Sequence, residues 1–315
     1  MRVIRQLEEI PADWNATIVS IGNFDGVHCG HQHVLARVVG RAKQSGARSM
    51  AVTFDPHPVR VLRPGSAPLL ITPLDQKLAG LAKTGVDATL IITFDKQFSS
   101  TSPHDFARKI VAGSLRASEV YEGANFHFGH RAEGDCEKLK QFGKEFGFKV
   151  FVYPEMRLRG EPVSSSRIRQ LLSAGKVSKA RHLLGRPFSI VGTPAKGRGY
   201  GSRYTVPTIN LAAYSELVPK NGVYVTCTRV ARETFESVTN VGTRPTFAGE
   251  SFAIETHLLN VHPLDLDDST EVEISFLKWL RPEIKWPNPE ALREQIGKDV
   301  RKAKRFFALN SSLAS

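Results

Sequence analysis

Long apolar runs are missing from this chain of 315 residues. Its most apolar segments, such as ATLIITF at 88–94, fall far short of the roughly 20 residues a membrane-spanning helix needs. No membrane partner is therefore expected. The first residues, MRVIRQLEEIPADW, lack an apolar stretch followed by a small-residue cleavage site, so no secretion signal is expected either. Cysteine is scarce: Cys29, Cys136 and Cys227 stand far apart and form no paired framework, which fits a reducing, cytoplasmic setting. Acidic side chains are in deficit, with 31 Asp and Glu against 43 Lys and Arg, a net charge of +12. That surplus favours anionic partners. The basic residues are spread along the chain, and the densest cluster, KDVRKAKRFF at 298–307, reads as the solvated face of a terminal helix. Without an aromatic-interleaved basic module, nucleic acid is not expected. Internal repeats and low-complexity segments are absent.

What is present falls into two textures. From residue 17 to about 152, β-branched runs (TIVSI, SMAVTF, ATLIITF, FKVFVY) alternate with helix-length amphipathic stretches. HQHVLARVVGRAKQSG at 31–46 closes on Gly46, and PLDQKLAGLAKTG at 73–85 opens with Thr72 as cap and Pro73 at its first position. This alternation predicts a parallel sheet covered on both faces. After LLGRP at 183–187, short β-like runs follow one another without helices, as in a compact barrel, until PEALREQIGKDVRKAKRFF at 289–307 supplies one last helix. The predicted fold is thus a Rossmann-like α/β domain over 1–184 and a small β-barrel with a C-terminal helix over 185–315.

The segment GNFDGVHCGH at 22–31 joins the first strand to the first helix. In an open parallel sheet, ligands lie beyond the carboxyl ends of the strands, where the next helix presents free N–H groups. Gly22, Gly26 and Gly30 allow sharp turns and close backbone approach. His28 and His31, three apart at a helix start, can both point at one anion. His28, Cys29, His31 and His33 could also ligate a metal, but zinc ligands usually recur as a distant second pair, and neither CxxC nor HExxH occurs. A phosphate cradle is the better account. Further along, TFDPHP at 53–58 sets a rigid loop at a strand end. GANFHFGHRAEGD at 123–135 offers Phe126 and Phe128, which read either as a strand's core face or as a flat apolar surface. VSSSRIRQLL at 163–172 places three hydroxyls before Arg167 and Arg169 at a helix start, more than a serine cap requires.

These segments together resemble the bacterial bifunctional riboflavin kinase/FMN adenylyltransferases (FAD synthetases), in an extended form, GxFDGxHxGH, of the nucleotidyltransferase HxGH motif. The resemblance implies an HxGH nucleotidyltransferase domain followed by a riboflavin kinase barrel, with ATP as co-substrate, Mg2+, and FMN and FAD as intermediate and product. It implies that Gly22, Phe24, Asp25, Gly26, His28, Gly30 and His31 bind ATP phosphates, with Ser165, Ser166 and Arg169 joining them, and Arg167 beside them is a further candidate by its guanidinium. It places flavin near His57, Asn125, Phe126 and Phe128. In the second domain, GSRYTVPTIN at 201–210 matches the kinase motif at Pro207, Thr208 and Asn210 and departs from it at Ser202, Thr205 and Val206. Thr208 and Asn210 would hold magnesium there, NVGTRPTF at 240–247 matches the family, and Glu255 in IETHLL stands at the catalytic carboxylate. The family's LYG segment is missing from LDLDDSTEV at 264–272. Three alternatives stay open on these residues. One is an adenylyltransferase with a degenerate kinase domain, another a nucleotidyltransferase for a different alcohol phosphate, and the third a non-catalytic anion-binding protein. The sequence leaves oligomeric state open.

Overall fold

A computed structural model describes residues 1–195, 208–246, 249–259, 264, 266–267 and 269–310, with the main chain alone over 244–246 and 249–252. Most of the kinase-like motif at 201–207 therefore lies outside the described residues, as does Phe247. The chain divides into two compact units, Met1–Ser165 and Ser166–Ser315.

The first unit is built on β1 (Arg2–Ile4), β2 (Thr17–Ile21), α1 (Cys29–Ser45), β3 (Arg48–Asp55), α2 (Pro58–Leu62), α3 (Leu74–Ala82), β4 (Ala88–Thr93), α4 (Lys96–Ser99) and α5 (Pro103–Asp105). A π-helical segment, Phe106–Ser114, runs on from α5, and β5 (Ala117–Gly123), α6 (Cys136–Phe146), β6 (Lys149–Tyr153) and the short ribbon of β7 (Arg157–Leu158) and β8 (Glu161–Pro162) complete the unit. Six strands form one parallel sheet in the order β1-β4-β3-β2-β5-β6. Every residue of β2 is buried, as expected for a parallel strand with helices over both faces. One apolar layer gathers Val19, Ile21, Val52 and Leu90 with Phe106, Ile110 and Leu139. On the opposite side Ile18 meets Val38 and Ala42 of α1, while Phe24, Leu35, Ala51 and Leu81 form a third cluster.

Helix α1 ends as its sequence dictates, on Gly46 in the left-handed region at φ 69°. The opening of α3 differs from expectation. Pro73 is its N-cap and makes no side-chain cap bond, because the Thr72 hydroxyl is turned to the loop after β2.

The second unit opens with most of α7 (Ser165–Ser173), then α8 (Val177–Leu184) and β9 (Phe188–Gly192). It continues through β10 (Thr208–Asn210), β11 (Gly222–Val230), β12 (Glu233–Thr246), β13 (Gly249–Leu258), β14 (Val272–Arg281) and α9 (Pro289–Ala308). The expected division at 184/185 falls later than the division into units, because α8 belongs with the second sheet: Ser178 Oγ donates to the Leu277 carbonyl at 2.9 Å. That sheet is antiparallel throughout, in the order β10-β13-β12-β11-β14-β9. Its two edges curl together, since Ala195 N–H donates to Asn210 O at 2.8 Å and Ala212 N–H to Thr193 O at 2.9 Å. The result is the curled barrel the sequence predicts, and it removes an exposed edge.

One face of this sheet packs Val223, Val225, Val238 and Leu277 against Ala303 and Phe307 of α9. On the other face lies a polar cluster, fully buried: Thr226, Thr228, Ser237, Thr239 and Thr256. Their hydroxyls close a ring, Thr226–Ser237–Thr228–Thr256–Thr239–Thr226, with O···O distances of 2.7–3.0 Å, and Ser237 also donates to the Thr226 carbonyl at 2.9 Å.

Candidate active site

In the parallel sheet, β3 and β4 lie on one side of β2, and β5 and β6 on the other. The crevice of such a sheet opens where the order reverses, beyond the carboxyl ends of β2 and β5. The recorded ladder between these strands ends at Val19↔Val120. Just beyond it, Ile21 N–H donates to Glu122 Oε1 at 2.7 Å. Glu122 is 3% exposed, and burial pushes its carboxyl well above the usual range, against the lowering effect of the Ile21 hydrogen bond.

The loop after β2 is held from within. Asp25 is buried, and its carboxylate accepts from Ile71 N–H at 3.1 Å and Thr72 N–H at 3.0 Å. The Thr72 hydroxyl takes Gly26 N–H at 2.9 Å, and Ser165 Oγ donates to the Asp25 carbonyl at 2.8 Å. The Asp25 side chain thus ties the β2 loop to the segment ahead of α3. Phe24 and Val27, at φ 47° and 39°, are bent into the left-handed region beside Gly26 at 83° and anchored by the apolar cluster beneath them. Two non-glycine residues in that region within four positions mark an enforced turn.

His28 caps α1: its Nδ1 accepts from His31 N–H at 3.4 Å. The two imidazoles stack at 3.6 Å between centroids and 15° between planes, and Phe24 meets His31 edge-on at 5.1 Å. Gly30 makes room for this stack, since a Cβ there would come within 3.2 Å of His28 Nδ1. His31 Nδ1 is buried with no hydrogen-bond partner. Burial lowers the pKa of His31 well below the usual histidine value, and the neighbouring His28 and Lys77 lower it further. A stacked pair of imidazoles at a helix N-terminus, with one buried ring nitrogen unused on His31, suits an anion.

The structure places the remaining sequence candidates as follows. His57 caps α2 through Nδ1, accepting Val59 N–H at 3.2 Å. Asn125 is exposed beyond β5, and Phe126 is half-buried and stacked on Phe128 at 5.5 Å. Phe128 itself is a core residue, 7% exposed and packed on Phe106. The two rings stand in a loop and not in a strand, and only Phe126 retains surface to offer. Ser165 starts α7 and is joined to the β2 loop, while Ser166, Arg167 and Arg169 follow on the same helix in the second unit. Sequence reasoning missed Lys77, buried in α3 with its ammonium at 3.3 Å from Asn23 O and Thr53 Oγ1. It also missed Glu122. Lys77 had no signal beyond a charged residue in an otherwise apolar helical stripe.

In the antiparallel sheet, register brings Asn210, Glu255 and Asn240 side by side across β10, β13 and β12. Ile209 is buried between Thr208 and Asn210, so those two polar residues share the opposite face, which Glu255 and His257 also occupy. Thr208 Oγ1 lies 3.4 Å from His257 Nδ1, and burial lowers the His257 pKa. Asn240 and His257 are additions to the sequence reading. Among the described residues, no three His, Cys, Asp or Glu side chains gather as a metal cage.

Comparison with known proteins places family models on both halves. The FAD synthetase model matches residues 10–167 and the riboflavin kinase model residues 184–307. A bifunctional riboflavin kinase/FMN adenylyltransferase of Pseudomonas fluorescens is 34% identical over 98% of each chain. Proteins of the same description from Escherichia coli strain K12 (98% of each chain) and Listeria monocytogenes (92% of each) are both 32% identical. A solved structure described as a macrolide-efflux protein from Streptococcus pneumoniae superimposes with a TM-score of 0.85 at 26% identity, covering 96% of this chain and 98% of that one. No helix among the described residues is long and apolar enough to cross a membrane.

Proposed function

The chain belongs to the family of bifunctional riboflavin kinase/FMN adenylyltransferases, and on that premise we propose how its own residues divide the two reactions. It carries both enzyme domains of flavin cofactor biosynthesis, using ATP and flavin substrates. We assign adenylylation to 1–184 and phosphorylation to 185–315, acting in the cytoplasm.

In the barrel domain, the terminal ribityl hydroxyl of riboflavin attacks the γ-phosphorus of ATP. The new P–O bond forms as the bond to ADP breaks, and Glu255 takes the hydroxyl proton as general base. Its place between Asn210 and Asn240 carries this assignment, because the two amides can fix the carboxylate and the phosphate while the acid accepts the proton. Magnesium enters with ATP. Thr208 and Asn210 present hard oxygen donors of the kind it takes and would hold it there. Bound there, it would neutralise phosphate charge.

In the parallel-sheet domain, a phosphate oxygen of FMN attacks the α-phosphorus of a second ATP. The bond to the β-phosphate breaks, pyrophosphate leaves and FAD forms. The nucleophile is already ionised, so no base is required, and in-line placement with charge neutralisation supplies the rate. The observation that carries this reading is the His28–His31 stack at the head of α1, with the unpartnered Nδ1 of His31 buried there. Phe24, Gly22, Gly26 and Gly30 shape the cradle, Asp25 holds it, and Ser165, Ser166, Arg167 and Arg169 supply further phosphate donors from α7. His57, Asn125 and Phe126 face the flavin, with Phe128 supporting Phe126 from the core.

A chromatographic time course with riboflavin, ATP and magnesium, repeated from FMN, tests both assignments. His28→Ala is expected to slow FAD formation about a hundredfold while riboflavin phosphorylation continues, and Glu255→Gln the converse. FAD formed by His28→Ala at the parent rate would remove the cradle assignment. FAD made from FMN but never from riboflavin by the parent chain would leave the adenylyltransferase alone at work.

A further inference from the structure

Lys77 is a buried cation that forms no ion pair among the described residues. It lies in the second turn of α3, 6% exposed. Its ammonium donates to Asn23 O and Thr53 Oγ1, each at 3.3 Å, and to Phe54 O at 3.4 Å. All three acceptors are neutral and the distances long. Among the described residues, no carboxylate forms an ion pair with it. Removing an ammonium from water without a counter-charge is among the more expensive things a fold can do.

The place of those acceptors suggests why the cost is borne. Asn23 opens the loop between β2 and the head of α1, while Thr53 and Phe54 end β3, directly before the loop bearing His57. One side chain thus ties the carboxyl ends of two neighbouring strands from beneath. It puts a positive charge under the loop that receives the nucleotide's phosphates in the function proposed above, and this inference rests on that reading. We propose that Lys77 is a positioning residue of the adenylyl-transfer site: it holds the β2 and β3 loops in register and gains a direct anionic partner when the triphosphate of ATP binds.

The charged groups around it support a linkage to pH. Asp25 from the β2 loop and Asp55 from β3 favour the ammonium, and His31, with His28 stacked on it, faces it from α1. Burial outweighs the two carboxylates, so the pKa of Lys77 in the free protein lies below the ordinary lysine value. The protonated form is the one that attracts phosphate. Productive ATP binding should therefore fall as pH rises through that pKa.

The test is kcat/KM for ATP in FAD formation from FMN, between about pH 7 and 10, on the full chain, with riboflavin phosphorylation as internal control. Lys77→Met is expected to lose about tenfold or more at pH 7 while phosphorylation stays within about twofold. The parent should show an alkaline limb that Lys77→Arg, whose guanidinium does not titrate in this range, moves upward or abolishes. If Lys77→Met makes FAD at the parent rate, which itself shows that its first unit folds, the proposal fails. It fails equally if Lys77→Arg keeps the parent's alkaline limb, because a mere strut would leave that limb in place. Should Lys77→Met not fold, the comparison of Lys77→Arg with the parent decides alone. His28→Ala is run alongside: unimpaired FAD formation there removes the cradle reading itself, whereas an impaired His28→Ala with parent-like Lys77 variants overturns only this proposal.

Discussion

Glu122 shows how a single side chain can be invisible in sequence and decisive in place. In YEGANF it looks like one more solvated acid, yet it is inserted where the β2–β5 ladder stops and takes the Ile21 N–H. Its folded pKa is raised, so between the unfolded value near 4.5 and the folded one the native state binds more protons than the unfolded chain. Stability must fall as pH rises through that window, by up to about 1.4 kcal/mol per pH unit. Glu122→Gln keeps the acceptor for Ile21 and removes the titration. Thermal melts at several pH values should show the parent losing stability toward alkaline pH and the variant flat across the same window and more stable at its upper end. An equal slope in both proteins would mean that another group titrates. The histidines and glycines of 22–31 were legible because a strand, a glycine-rich turn and a helix start have few other uses at that spacing. Lys77 and Glu122 were not, because burial of a charge depends on what the rest of the chain packs around it.

Among the elements, α9 illustrates both the reach and the limit of pattern. The amphipathic run predicted it almost to the residue, 289–307 against the observed Pro289–Ala308, which Asn288 caps. The same pattern read its polar residues as a solvated face, yet Asp299 is 2% exposed and holds Arg281 Nε at 2.8 Å and Gln295 Nε2 at 2.9 Å. Asp299→Ala would leave the half-screened Arg281 guanidinium without its partner, at a cost of about 3 kcal/mol. Riboflavin phosphorylation should then be lost several degrees earlier on heating, measured against the parent. Asp299→Asn, whose one carbonyl oxygen can still accept from Arg281, should recover part of that loss. At α3 the sequence failed in the opposite sense: Thr72 has the form of a cap, but a long-range bond to Gly26 outcompeted the local one. A parallel sheet in one half and a curled barrel in the other followed from their textures, whereas the strand order and the register that aligns Asn210, Glu255 and Asn240 are tertiary facts no local pattern contains.

For the whole molecule, the charge of +12 meets two different substrates. Riboflavin is neutral, while FMN carries a phosphate, so the field of the protein should draw in the second flavin and be indifferent to the first. Raising ionic strength from about 0.05 to 0.3 M is expected to lower kcat/KM for FMN several-fold and to leave that for riboflavin nearly unchanged, with ATP saturating. Equal losses for both flavins would place the salt effect on ATP or on the fold. Two textures are legible in the sequence, whereas the sheet that α8 covers is not, because amphipathic helices carry no label for the surface they will cover.

The hydroxyl ring inside the barrel has a consequence of its own. Five hydroxyls own five protons, yet they meet at six hydrogen-bonding distances, counting that from Ser237 to the Thr226 carbonyl. No single assignment of protons can fill every one. Several assignments satisfy all but one, and concerted hydroxyl rotations carry the ring from each to the next with its oxygen atoms at rest. The tightest part of this core therefore retains a small residual entropy, of the kind that persists in ice.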